Sequence, residues 1–377
     1  RGGEMMQSLV RKYEQGGWMP IFPCWNSYTS AMIGDHGTAA LADAWIKGIT
    51  NFDMEKAYEG MRKNAFDRPA TLEEYRNGMG RRALDSYVKY GYIPLEDSVP
   101  DAFHTCEQVS RTLEYAYDDF ALARVAAALG KTDDCRALME RARNYRNVID
   151  PRTGYAQGRY ADGTFLNDDN AFRFTRFITE GAPCHYTWYV PQDPYGLMTL
   201  MGGREAYAAK LDSMFTEGRY WHGNEPCHQV AFMFNYAGQP WKTQQAVRHI
   251  LDTEYHNTPG GLAGNDDAGQ MSAWYVFAAM GFYPVCPGTP YYMLASPSFP
   301  VVTLYPEGGR PFTVKAKGAS ARNIYIQRAT LNGRPYTRNY LNHADIVQGG
   351  VLELEMGPEP NREWGSSPSD CPPGVME

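Results

Sequence analysis

The sequence predicts a mainly α protein, an α/α toroid followed by a small β-rich C-terminal part. Between residues 4 and 283, successive segments have apolar residues at three- and four-residue spacing, which is the spacing of one helix face. Short and long loops alternate between these segments, and long polar loops in a compact domain are usually functional. Beyond residue 289 the pattern changes to alternating β-branched residues punctuated by Gly and Asn, which predicts strands.

The predicted helices share this periodicity and are separated by loops rich in Gly and Pro. They span residues 31–49, 106–130, 134–150, 203–215, 239–255 and 268–281. The predicted strands lie in "VVTLYP", "FTVKAKG", "NIYIQRATLNG" and "VLELEMG". We therefore predict a toroid domain over residues 1–289 and a β-rich appendage with a tail over residues 290–377.

Composition excludes several classes of protein. The net charge of −7, without a run of Lys or Arg, argues against a nucleic-acid partner. No stretch approaches about 18 apolar residues, so no membrane span is predicted. The seven cysteines include no CxxC pair, so they indicate neither a zinc ribbon nor a complete disulfide framework. The 14% aromatic content fits either a carbohydrate enzyme or a large helical core.

The stretch "GNDDAGQMSAW", residues 264–274, has two interpretations. Asn265 is a favoured N-cap, and Asp266 and Asp267 would suit the positive end of a helix dipole. Gly269 would then lie inside the first turns, where glycine costs about 1 kcal/mol relative to alanine. Such a glycine beside clustered carboxylates also indicates a loop that a ligand approaches closely.

Other carboxylates recur where long loops meet helices. Glu180 precedes Gly181 in "TEGAPCHYTWYVPQD", Glu225 precedes a proline in "GNEPCHQ", and "CWNSYTSAMIGDHG" places Asp35 and His36 near a helix start. Each alone fits a cap or a loop acid. The aromatic residues close to them are Trp25, Tyr186, Trp188, Trp221 and Trp274. Together they favour glycoside hydrolysis, in which one carboxylic acid protonates the leaving oxygen and another carboxylate activates water.

Five strings carry a resemblance to a known family. "SRTLEYAYDDFALARVAAALGK", "EGAPCHYTWYVPQD", "GNEPCHQ", "AGQPWKTQQAVRHIL" and "GLAGNDDAGQMSAWYVFAAMGFYPVCPG" together resemble glycoside hydrolase family 92, the calcium-dependent inverting exo-α-mannosidases. The likeness runs from about residue 13 to residue 365. It implies a six-hairpin toroid, release of terminal α-linked mannose from a glycan, a Ca²⁺ ion, and a periplasmic or secreted location.

The resemblance also implies roles for particular residues. Glu180 matches the general acid, Asp267 matches the general base, and Asp266 is the second-choice base. The predicted substrate contacts are Glu225, Asn224, Asn265, Trp25 and Trp188, and Gln229 is the predicted calcium ligand. Asn265 stands where the family often has a second water-holding carboxylate. For an inverting enzyme, the two catalytic carboxyl groups should lie roughly 6.5–9.5 Å apart.

Two departures leave alternatives open. The N-terminal β-sandwich and first barrel helices of the family are not recognisable, so the toroid is expected to be incomplete at its N-terminus and an N-terminal β-sandwich domain to be missing. A non-catalytic glycan-binding fragment is therefore the alternative function. A polysaccharide lyase on the same fold is less favoured, because no Arg/Lys cluster accompanies Glu180 or Asp267.

Overall fold

The computed structural model describes residues 1–100 and 102–376, and it confirms a helix-rich chain with a small C-terminal β part. The chain divides into two compact units. Unit 1 comprises Arg1–Asp193, Pro287–Thr289 and Met376, and unit 2 comprises Pro194–Cys286 and Pro290–Val375. The predicted division at residue 289 marks a change of secondary structure and stays a prediction as a domain boundary.

Unit 1 is built from α-helices around one buried helix. The helices are α1 (Gly2–Gly16), α2 (His36–Ile46), α3 (Met54–Phe66), α4 (Leu72–Arg76), α5 (Leu84–Tyr90), α6 (Gln108–Ala128), α7 (Thr132–Arg141) and α8 (Pro183–Tyr186). Almost every residue of α6 is buried, and the helix packs against α2, α3 and α7. Since α6 also buries acidic residues, its polar side chains require partners inside the unit.

Unit 2 combines helices with two sheets. Its helices are α9 (Pro194–Leu200), α10 (Arg204–Thr216), α11 (Pro240–Thr253), α12 (Gln270–Met280) and α13 (His343–Val347). Its strands are β1 (Phe282–Tyr283), β2 (Tyr291–Leu294), β3 (Val301–Leu304), β4 (Phe312–Lys317), β5 (Tyr325–Leu331), β6 (Arg334–Pro335), β7 (Tyr340–Asn342) and β8 (Gly350–Gly357). The described strands begin only at residue 282, as the predicted helix-to-strand change requires.

The larger sheet has the order β3-β4-β8-β5-β6, in which β4 and β8 are parallel and the other pairs antiparallel. The smaller sheet, β1-β2-β7, is antiparallel. Alternating residues of the larger sheet, among them Phe312, Val314, Leu352 and Leu354, form the core of the β part. The Gln244 side chain of α11 accepts the backbone N–H of Ile326 in β5, which ties the sheet to a helix.

Three predicted helices have different bounds in the structure. The helix predicted over 31–49 is α2, which starts at His36 because the Asp118 carboxylate accepts the backbone N–H of Asp35 at 2.8 Å. The helix predicted over 134–150 is α7 followed by a 3₁₀ turn, Asn144–Val148. The helix predicted over 268–281 is α12, which starts at Gln270. No helix in the described part of the chain is long and apolar enough to cross a membrane.

Candidate active site

Glu180 stands at an exposed and strained turn of unit 1. Its φ of 49° lies in the left-handed region. That conformation costs a residue with a Cβ roughly 1–2 kcal/mol, and such residues cluster at functional sites. The turn precedes α8, where the backbone N–H of Ala182 donates to Nδ1 of His185 at 3.1 Å.

The chain before Glu180 is anchored on the N-terminus of α6. The backbone N–H of Val109 donates to the carbonyl of Phe177 at 3.0 Å. The backbone N–H of Thr179 donates to Oγ of Ser110 at 2.9 Å. These bonds satisfy a helix-end donor that has no intrahelical partner, and they fix the residue directly before Glu180.

The aromatic residues after Glu180 pack inside unit 1. Tyr186 is 1% exposed and Trp188 is 0% exposed. The Tyr186 hydroxyl donates to Oε1 of Glu114 on α6 at 2.9 Å. The predicted substrate contact of Trp188 stays a prediction, and this burial favours a packing role for its ring instead.

Trp25 has the opposite environment in unit 1. It is 91% exposed, and it forms with Asn26 the tip of a two-residue turn closed by hydrogen bonds between Cys24 and Ser27. Both tip residues have positive φ, 48° and 65°, as in a type I′ turn. An exposed ring on a fixed turn suits contact with a sugar face, so the structure is compatible with Trp25 as a substrate contact.

A cluster of charged side chains in unit 1 contains Asp35 and His36, which the sequence places only near a helix start. His36 at the start of α2 places Nε2 3.0 Å from Oε2 of Glu114 and Nδ1 3.2 Å from Oδ1 of Asp118. Both ring nitrogens face carboxylates, so the arrangement favours the doubly protonated imidazolium. Burial would lower the pKa of His36, but Asp118 and Glu114 together raise it well above its ordinary value.

The cluster continues away from His36 through an arginine. Nε of Arg81 lies 3.0 Å from Oδ2 of Asp35, and Nη1 of Arg81 lies 2.6 Å from Oδ1 of Asp119. Burial raises the pKa of Asp35 to about 6, although Arg81 opposes the shift. One sequence signal could have revealed the cluster, namely Glu114 and Asp118 four residues apart in the helix predicted over 106–130, where they share a face.

In unit 2, two loops that carry predicted site residues lie against each other. A Cβ on Gly264 would come within 2.2 Å of the carbonyl oxygen of Gly223, and a Cβ on Gly223 would come within 2.7 Å of the carbonyl oxygen of Ala263. Gly264 therefore lies where the neighbouring loop packs closely against its backbone. This contact brings Asn224 and Glu225 to the loop of Asn265, Asp266 and Asp267.

The GNDD stretch does not begin a helix. Asp267, Ala268 and Gly269 have φ values of 47°, 57° and 112°, all in the left-handed region, so α12 starts only after them. Asp266 acts as the cap, because its Oδ1 accepts the backbone N–H of Ser272 at 2.9 Å. The Asp267 side chain is exposed and has no hydrogen-bond partner among residues 1–100 and 102–376, so its carboxylate is available to a water molecule.

A network of neutral histidines supports these two loops. Tyr220 and Tyr255 hydroxyls lie 2.8 and 2.7 Å from the two ring nitrogens of His222, and Nε2 of His228 lies 3.1 Å from the His222 carbonyl oxygen. The two imidazoles stack with centroids 4.7 Å apart. Burial lowers the pKa of His222 to about 3 and that of His228 to about 4. Both rings are therefore uncharged near neutral pH.

Gln229 is the predicted calcium ligand, and its side-chain amide has one nitrogen and one oxygen. Nε2 of Gln229 donates to the carbonyl oxygen of Pro226 at 2.8 Å, so the amide oxygen is the atom that could ligate a cation. Across the described residues, no group of three or more His, Cys, Asp or Glu side chains is placed to hold a metal ion. A calcium ion here would depend on amide and carbonyl oxygens, water and few carboxylates, all of which it accepts as ligands.

The chain matches proteins of one family in sequence and in structure. The sequence model described as the glycosyl hydrolase family 92 catalytic domain matches residues 1–358. A protein of Arthroderma benhamiae, named an uncharacterized secreted glycosidase, is 32% identical over 397 residues, which cover 97% of this chain and 50% of that protein.

Two solved structures from Bacteroides thetaiotaomicron are similar to the whole chain. The first, a family GH92 inverting mannosidase, is 39% identical with a TM-score of 0.89, and the match covers 97% of this chain and 51% of that one. The second, a family GH92 α-mannosidase, is 37% identical with a TM-score of 0.90, covering 99% and 49% respectively. This chain spans about half the length of these relatives. It belongs to glycosyl hydrolase family 92.

Proposed function

We propose that the chain is the catalytic part of a glycoside hydrolase that releases terminal α-linked mannose from glycans by an inverting, calcium-assisted mechanism. Family membership supports the reaction class, and the names of the two Bacteroides relatives support α-mannosides as substrates. The name of the Arthroderma relative supports a secreted location, one of the two that the resemblance implies.

One observation carries the proposal: both proposed catalytic carboxylates stand exposed on left-handed backbone. Glu180 has a φ of 49° and Asp267 a φ of 47°. Neither residue is a glycine, so each position costs stability that a loop without function would not need to lose. Two exposed carboxylates are also the minimum that acid and base catalysis of glycoside hydrolysis requires.

We assign the general base to Asp267 rather than Asp266. A base must accept a proton from the attacking water, and the Asp267 carboxylate has no competing donor among the described residues. Asp266, the second-choice base, already accepts the Ser272 backbone N–H. Asn265 can hold a water by hydrogen bonding, but its neutral amide cannot take the proton.

We assign the general acid to Glu180, which would protonate the glycosidic oxygen as the bond to the leaving sugar breaks. The sugar that is released would be held by Asn224 and Glu225, whose loop lies against the loop of the proposed base. An inverting mechanism requires room for a water molecule between the acid and the base.

We propose Gln229 and the turn of Asn265–Asp267 as the ligands of a calcium ion, because amide and carboxylate oxygens are donors that Ca²⁺ accepts. When bound, the ion would polarise two neighbouring sugar hydroxyls and favour a distorted ring. Asp267 would orient the attacking water, and Glu180 would deliver the proton.

The fold proposal accompanies the function. We propose that the helices form an α/α toroid of the six-hairpin type over residues 1–289, with residues 290–377 as the β-rich appendage. An N-terminal β-sandwich domain, implied by the resemblance, is the proposed protein partner, and a mannose-containing glycan is the proposed substrate.

The alternative is a glycan-binding part without turnover, which the exposed Trp25 ring would also suit. Incubation with an α-mannobioside, with and without a chelator, separates the two. The proposal predicts release of mannose, loss of activity after chelation, and recovery with Ca²⁺ but not Zn²⁺. Saturable binding of the mannobioside without mannose release would instead establish the alternative. Activity that survives exhaustive chelation would remove calcium from the mechanism.

A further inference from the structure

The turn that carries Glu180 is anchored to one helix on both sides. Before it, Thr179 is bound through its N–H to Ser110 of α6. After it, the Tyr186 hydroxyl donates to Oε1 of Glu114, one helical turn further along α6, at 2.9 Å. The left-handed backbone of Glu180 lies between these two anchors, and such a conformation persists only when its surroundings fix it.

The second anchor is itself held rigidly. Glu114 is 4% exposed, and both of its oxygens are occupied, Oε1 by Tyr186 and Oε2 by Nε2 of His36. His36 is fixed in turn by Asp118, whose other oxygen accepts the backbone N–H of Asp35. Because imidazolium–carboxylate bonds are charge-assisted and stronger than neutral ones, Glu114 cannot readily follow Tyr186 if the turn moves.

We propose that Glu114, acting through Tyr186, is a positioning residue that holds the general acid Glu180 in its productive conformation. The inference rests on the proposed function, because it presumes that Glu180 is the acid. Without the Tyr186–Glu114 bond, the turn loses the support that balances its strained backbone, and the Glu180 carboxyl group is displaced from the leaving oxygen. Misplacement by about 1 Å can cost about 100-fold in rate, and loss of a supporting hydrogen bond typically about 10–100-fold.

The test compares two substrates that differ in their need for acid catalysis. The sugar leaving group of an α-mannobioside must be protonated. The dinitrophenolate released from 2,4-dinitrophenyl α-mannoside needs little protonation. For Tyr186→Phe, kcat for the mannobioside is expected to fall about 10–100-fold, with KM little changed. For the dinitrophenyl substrate, kcat should change less than about three-fold. A defect that is only structural would lower both rates equally.

Two further variants test Glu114 itself. Glu114→Leu removes the acceptor for the Tyr186 hydroxyl and should show the same selective loss. Glu114→Gln keeps an oxygen acceptor and should recover most of the mannobioside rate. The matched control is Tyr87→Phe, which removes an equally buried hydroxyl–carboxylate bond, 3.0 Å to Asp119, that involves neither Tyr186 nor Glu114. In this variant, kcat for the mannobioside should not fall more than kcat for the dinitrophenyl substrate.

The outcomes separate the two levels of the proposal. A wild-type chain that hydrolyses neither substrate, or a Glu180→Gln variant that loses both activities equally, would overturn the assignment of Glu180 and with it the role of Glu114. If Glu180→Gln is selective for the mannobioside but Tyr186→Phe and Glu114→Leu are not, only the positioning role is wrong. Selective loss in Tyr87→Phe would also overturn it.

Discussion

Acidification should destabilise unit 2 through its stacked histidines. Burial lowers the pKa of His222 to about 3 and that of His228 to about 4, against an ordinary value of 6.5. As the pH falls below 6.5, the unfolded chain binds protons at these residues while the folded chain does not. The free energy of unfolding therefore decreases between about pH 6.5 and the folded pKa values.

The size of this effect follows from the same pKa values. At pH 5 the unfolded histidines are about 1.5 units below their pKa, which stabilises the unfolded state by about 2 kcal/mol for each residue. At that pH neither folded imidazole is appreciably protonated, so little compensation occurs in the native state. Protonation of the two unfolded histidines contributes little at pH 7. Together they should therefore lower the free energy of unfolding by about 4 kcal/mol between pH 7 and pH 5.

Urea unfolding at pH 7 and pH 5 measures the difference. In His228→Gln, the decrease in the free energy of unfolding from pH 7 to pH 5 should be smaller by about 2 kcal/mol than in the wild-type chain. This holds whatever stability the variant loses at pH 7. The matched control is His249→Gln, which changes an exposed histidine on α11 and should leave the pH dependence unchanged. If His228→Gln loses as much stability as the wild-type chain between pH 7 and pH 5, burial of a neutral His228 is not the cause.

Three further predictions concern the GNDD loop. Ala268→Gly should raise the free energy of unfolding by about 0.5–1 kcal/mol in urea, because glycine accepts the left-handed backbone, and an unchanged value would contradict the assigned strain. Gly264→Ala should cost at least about 2 kcal/mol in urea unfolding and lower activity, because its Cβ would meet a neighbouring backbone oxygen at 2.2 Å. The control Gly260→Ala places its Cβ in open space and should cost little in the same experiment. Asp266→Ala should lower the free energy of unfolding by about 1 kcal/mol, because it removes the acceptor of the Ser272 backbone N–H. Asp267→Asn should keep the stability and lower kcat by orders of magnitude. The reverse pattern would exchange the roles of the two residues.

The fold class was predictable because it depends on local periodicity. The apolar spacing over residues 106–130 and 239–255 gave α6 and α11 to within about two residues, and the alternation after residue 300 gave β3, β4, β5 and β8. These elements bury one face or one stripe, and the sequence shows which residues lie on it.

Apolar spacing predicted the start of α12 to within two residues, whereas the capping pattern before it did not. Asn265 and two acids indicate an N-terminus, yet the helix begins five residues later, at Gln270. The close approach of the Gly223 and Gly264 backbones constrains the loop, and that contact joins segments about 40 residues apart. Local capping preferences, worth about 1 kcal/mol, cannot reveal it.

The site was predictable only in part for a similar reason. Glu180, Glu225 and Asp267 were singled out as carboxylates at loop–helix boundaries, and the structure places all three in loops or at the start of a short helical turn. The burial of Trp188 and the link between His36 and Glu114 depend on how α2, α6 and α8 pack. Spacing within one segment carries no information about such contacts.

Glu180 and Asp267 are proposed to act as acid and base in hydrolysis with inversion. The most direct test is the ¹H NMR spectrum recorded during the first minutes of α-mannobioside hydrolysis, before the released sugar equilibrates. Attack of a water molecule held by Asp267, opposite the bond protonated by Glu180, predicts β-mannose as the first product. If α-mannose appears first, a carboxylate has attacked the sugar directly, and the assignment of Asp267 as a base is wrong.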